Sequence, residues 1–128
     1  MITIIKNYEL INNAECLKQL MQYELPVKTG WILTKNMKNF EAVLKSIAEF
    51  EQELVKKYAL IDEDENIRYD ENGQPKIAPA NKESFSREHS ELLMCENTVE
   101  IIKIKYLDIE DCKIKSSLLF DLDFMFED

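Results

Sequence analysis

The sequence predicts an α+β fold: a long helical hairpin packed on a small β-sheet, with a short C-terminal helix. Three observations carry this. Only two glycines, Gly30 and Gly73, occur in 128 residues, too few for a chain built mainly of tight-turned hairpins. Two segments repeat apolar residues at steps of three and four, the mark of amphipathic helices. Two short runs rich in β-branched residues, MITIIK at 1–6 and TVEIIKIKY at 98–106, read as strands.

Taken in order, the strand at 1–6 runs to Asn7, where a helical pattern begins. Leu10, Ile11, Ala14, Leu17, Leu20 and Met21 line one face, giving a helix to about Tyr23 that Pro26 interrupts. A long helix follows, from about Gly30 to Tyr58. Leu33, Met37, Phe40, Leu44, Ile47, Leu54 and Tyr58 make a near-heptad stripe. Ile32, Val43 and Phe50 widen it, which suits a globular core better than a coiled-coil seam. Glu51 falls in the centre of the stripe and calls for a kink, a partner, or a departure from the neighbouring element.

Residues 62–79 form a polar insert with two prolines and Asn72-Gly73. Ile67–Asp70 and Lys76–Ala78 are expected to pair around that turn, with Pro75 at the edge; a disordered loop is the alternative. Asn81 is placed to cap a third helix from Lys82 to about Glu96. The strand at 98–106 comes next, and Ser116 is placed to cap a last helix, SSLLFDLDFMFED. The two strands are candidate neighbours through Ile2–Ile5 and Val99–Ile104. No internal repeat is apparent.

Length and 45% hydrophobic residues fit one domain, 1–128, with a real core. No apolar run reaches the roughly 18 residues of a membrane span, and no secretory layout opens the chain. The net charge is −9. It is uneven: residues 1–60 hold 8 Lys and 7 Glu, net +1, and residues 61–128 hold 8 Lys/Arg and 18 Asp/Glu, net −10. Acidity of this size argues against a general phosphate-backbone binder. Cys16, Cys95 and Cys112 are scattered, without CxxC spacing. They read as reduced thiols of a cytoplasm-like compartment rather than a disulfide or zinc framework, and no metal or cofactor is expected.

Asp62, Asp64 and Asn66 match the first, third and fifth positions of a calcium loop. Ile67 replaces the required glycine and Gly73 the required glutamate, so an acidic solvated loop is the expectation. His89 lacks a nucleophile pattern around it, and two glycines supply neither a P-loop nor a dinucleotide fingerprint. No catalytic residues are assigned, and the chain reads as a non-enzyme.

The most informative stretch is LPVKTGWILTKNMKN at 25–39. On a wheel of about 100° per residue with Leu33 at zero, the apolar stripe spans roughly 260° to 40°, while Trp31, Lys35 and Lys38 fall near 160°, 200° and 140°. Lysines opposite a core are ordinarily a solvated face. The only tryptophan is less easily explained there. Lys28, Thr29, Trp31, Lys35, Asn36 and Lys38 are therefore the candidate binding residues, for a small anionic or nucleotide-like ligand or an acidic protein surface. The apolar end of the chain is either a docking helix that closes the domain or an interface through Leu119, Leu122, Phe124, Met125 and Phe126. With the long stripe, it suggests a homo-oligomer.

The order of features also resembles a family of small uncharacterised proteins of tailed phages and prophages of Gram-positive bacteria. ELPVK at 24–28, the DENG turn at 70–73 and LDFM at 122–125 carry the likeness. The resemblance implies a phage origin and a place in the host bacterial cytoplasm, and no catalytic residues. The expected function is a non-enzymatic accessory protein that acts by binding. It would counter host defence by inhibiting a defence protein or sequestering a nucleotide signal. A virion morphogenesis factor is the alternative, and an acidic nucleic-acid mimic ranks below both. Neither membrane nor direct nucleic-acid binding is expected.

Overall fold

The apolar stripe of the long central segment folds as one unbroken helix. In the computed structural model, which describes residues 1–127, this helix (α2) spans Val27–Tyr58. Before it come strand β1, Ile2–Lys6, and helix α1, Asn7–Leu20. After it come helix α3, Lys82–Met94, and strands β2, Glu96–Glu100, and β3, Ile104–Lys105. A short helix α4, Ser116–Asp121, and strand β4, Phe126–Glu127, close the chain. The class is α+β. The contacts divide it into two compact units, residues 1–44 with 96 onward, and residues 45–95, so α2 contributes to both.

In the first unit, β1 and β2 pair antiparallel, with Thr3 opposite Val99 and Ile5 opposite Asn97. Alternation sends Ile5 and Val99 into the core and leaves Ile2 and Ile4 on the outer face. Leu10, Leu17 and Leu20 of α1, Leu33 and Phe40 of α2, and Ile101 and Ile104 meet in one buried cluster.

The predicted single strand over 98–106 is broken between β2 and β3. Ile101 and Ile104 are both buried, at 0% and 2% exposure. Their odd separation would put them on opposite faces of a straight strand, so the backbone must turn between them. β3 then pairs in parallel with β4, Ile104 opposite Phe126.

The expected last helix is also shorter than its pattern. Phe126 leaves the helical path to join β3, where its ring stacks on Tyr106 at 4.7 Å. A further helical turn would forgo both the ladder pairing and that stack.

The second unit holds residues 45–58 of α2 and α3, running antiparallel, and the insert that joins them. Glu51, at the centre of the stripe, has a partner: its Oε2 lies 2.9 Å from His89 Nε2 of α3. The His89 ring lies parallel to Phe85 at 5.8 Å, and Phe85 meets Tyr58 edge-on at 6.4 Å.

The insert turns about Asn72-Gly73, but Tyr69 lies opposite Pro75 itself, and of the segments expected to pair, Arg68 and Lys76 share one backbone bond. A third segment joins it through Ile61 opposite Ile67 and Ala59 opposite Ile77. Three backbone hydrogen bonds close a ring at eight-residue spacing. Leu60 N–H donates to Lys76 O (2.8 Å), Lys76 N–H to Arg68 O (2.8 Å), and Arg68 N–H to Leu60 O (2.9 Å).

The two loops of this meander repeat each other. Asp62 Oδ1 accepts from the N–H groups of Asp64 and Asn66, and Asp70 Oδ1 accepts from those of Asn72 and Gln74. The fourth loop position is left-handed in both, Glu65 at φ 63° and Gly73 at φ 77°. The acidic run that imitates a calcium loop thus uses its first aspartate to cap its own turn.

Candidate functional site

The outward face of α2 separates the six candidate binding residues into two groups. Trp31 is 56% exposed, and the Lys35 ammonium lies 5.3 Å from its ring centroid, one helical turn on. Lys28 and Lys38 are exposed as well. An exposed cation–π contact of this kind contributes only about 0.5–1 kcal/mol, so an incoming ligand can displace the ammonium from the ring.

Thr29 and Asn36 belong to the other face. Thr29 is 3% exposed and Asn36 is fully buried. Asn36 Nδ2 donates to Ile102 O (3.0 Å) and its Oδ1 accepts from Ile102 N–H (2.9 Å). Both ends of the amide are therefore consumed by the backbone just beyond β2, and neither Asn36 nor Thr29 is available to a ligand. Asn39 adds a bond to Glu100 O at 2.9 Å. The two asparagines satisfy backbone groups that would otherwise form an open strand edge.

The proposed C-terminal interface is corrected in the same way. Leu122, Met125 and Phe126 are buried at 0%, 0% and 5% exposure, and Leu119 and Phe124 pack against the same core. The segment closes the first unit, which is the docking-helix reading. Its one strongly exposed aromatic is Phe120, at 82%.

The sequence reading missed a groove in the second unit, between α2 and α3, of about 690 Å³. Phe50, Leu54 and Leu92 supply its apolar lining, and Glu53, Glu88 and Glu91 its acidic groups. Leu54 is buried, whereas Phe50 is 54% exposed. Lys57 Nζ reaches Glu88 Oε1 at 3.2 Å and lies 5.0 Å from the Tyr58 ring centroid. The Tyr58 hydroxyl, then Lys57, hold the Glu88 carboxyl below its ordinary range. Tyr58, then Glu88, hold the Lys57 ammonium above its own. The available signal was Phe50, which the stripe counted as core although it sits at the stripe's edge.

Elsewhere, burial and then the Asp121 carboxylate, 3.6 Å from Sγ, push the Cys16 thiol up. Among the described residues no group of three or more His, Cys, Asp or Glu side chains could hold a metal ion. No helix among them is long and apolar enough to cross a membrane.

No family model matches this chain. No curated protein and no solved structure matches it either.

Proposed function

We propose that this chain is a non-enzymatic phage accessory protein that acts by binding in the host bacterial cytoplasm. It counters a host defence by taking up a nucleotide signal on the outward face of α2. The phage setting comes from the resemblance carried by residues 24–28, 70–73 and 122–125. The single observation that supports the binding role is the exposed tryptophan with the Lys35 ammonium over its ring. An aromatic plane offers stacking to a base, and Lys35, with Lys28 and Lys38 on neighbouring turns, offers charge to its phosphates. The overall charge of −9 does not oppose this, because residues 1–60 are nearly neutral.

Calorimetric titration with a panel of adenine mononucleotides, dinucleotides and cyclic oligonucleotides tests the reading. Saturable heat with at least one of them is expected, and its loss in Trp31→Ala/Lys35→Glu. No heat with any member of the panel sinks the nucleotide role.

A further inference from the structure

The geometry points to a second docking surface: the groove between α2 and α3 receives a cationic amphipathic helix of a partner protein. This goes beyond the Trp31–Lys35 face and does not depend on it. Three observations carry the inference. The groove is an open trough between two antiparallel helices, the setting in which a third helix packs by laying its side-chain ridge between theirs. Phe50, Leu54 and Leu92 give it an apolar strip, and Phe50 stands 54% exposed, more open than an aromatic of a finished core. Its charge is one-sided: Glu53, Glu88 and Glu91 against Lys57 alone give a formal net of −2.

The charge selects the occupant. Lys57 is already engaged by Glu88 at 3.2 Å, which leaves Glu53 on α2 and Glu91 on α3. Glu53 meets Lys56 at 3.5 Å, but both side chains are well over half exposed. Such a pair contributes little and yields readily to an incoming cation. A helix with an apolar stripe at i, i+4 and i+7 and a lysine or arginine on each flank would cover Phe50 and Leu92. It would also place one cation against each carboxylate. A second copy laid groove to groove brings the same acidic flanks, so like charges would oppose one another.

The test uses the full chain and a fluorescently labelled helical peptide with leucines at those three spacings and lysines on both flanks. Its twin carries glutamates in place of the lysines. Anisotropy should show saturable binding of the cationic peptide and at least tenfold weaker binding of the anionic one. Glu53→Lys/Glu91→Lys should weaken the cationic peptide about tenfold, the scale of two exposed charge pairs turned from attraction to repulsion. Phe50→Ser should weaken it by a similar factor, while Lys35→Glu, outside the groove, should leave it unchanged. Wild-type melting curves confirm that each variant is folded. Equal binding of the two peptides, binding by neither, or indifference to Phe50→Ser each overturns the assignment. A dimer by sedimentation that Phe50→Ser dissociates also overturns it, by giving the groove to a second copy.

Discussion

Replacing Asn36 by alanine should destabilise the first unit by about 2–3 kcal/mol. The residue is fully buried and makes two bonds to the backbone of one residue, at 2.9 Å to the N–H and 3.0 Å to the carbonyl of Ile102. Each is worth about 1 kcal/mol net, and a partner left unsatisfied adds to the loss. The addition is modest, because Ile102 is 37% exposed and water can regain part of its backbone. The melting temperature should fall by roughly 8–12 °C. Trp31 lies in this unit and is the only tryptophan, so its fluorescence in a urea titration reports the loss directly.

Asn36→Asp sharpens the test. It keeps an acceptor for Ile102 N–H but sets a carboxylate against Ile102 O, so at neutral pH it should cost more than alanine. Burial and the carbonyl would raise that carboxyl's folded pKa above its unfolded value. Stability should therefore recover as pH falls through the raised value and be lost as it rises. An alanine variant within about 0.5 kcal/mol of wild type, or an aspartate variant with no pH dependence beyond wild type, would refute the clamp.

Leu122→Ala should cost about 2–5 kcal/mol without changing the oligomeric state, because the side chain is core and not interface; denaturation and light scattering check this together. Gly73→Ala should destabilise the second unit by about 1 kcal/mol through its φ of 77° alone, since an added Cβ meets nothing within 4 Å. Glu65→Asn, at the matching loop position with φ 63°, should be neutral or stabilising; helix melting by circular dichroism separates the two signs. Mass spectrometry after brief iodoacetamide treatment near pH 8 should find Cys95 modified first and Cys16 last. Cys95 is exposed, while Cys16 is buried with its thiol pushed up by burial and Asp121. Equal rates at the two would contradict that ordering.

The elements most legible in the sequence are those whose period survives into the fold. The stripe on α2, the pattern of α1 and the β-branched run of β1 each bury one face, so spacing alone places them. The 98–106 run misleads because its two deepest residues, Ile101 and Ile104, are an odd number apart. No local propensity shows that both must reach one core. The C-terminal segment misleads for a related reason: Phe126 is drawn from its helix by Ile104 and Tyr106, partners about twenty residues earlier.

The candidate site was half legible. Exposed Trp31 and Lys35 follow from the wheel, but so do the buried positions of Thr29 and Asn36, at about 320° and 300° inside the apolar arc. Their polar character disguised them as surface residues. The eight-residue pattern of the insert is too short to stand out as a repeat, and it becomes visible only when Asp62 and Asp70 make identical turns. The groove depends on how α3 lies against α2, a tertiary relation that no single segment encodes.

The most direct test of the binding account is a fluorescence titration of the full chain with the nucleotide panel. One tryptophan supplies the signal, so a change in emission, corrected for nucleotide absorbance, reports on the surroundings of Trp31. The account predicts saturable quenching by at least one nucleotide, weakened at least tenfold by Lys35→Glu and unaffected by Glu91→Lys. Emission that no nucleotide alters, or quenching that Lys35→Glu leaves intact, would contradict it.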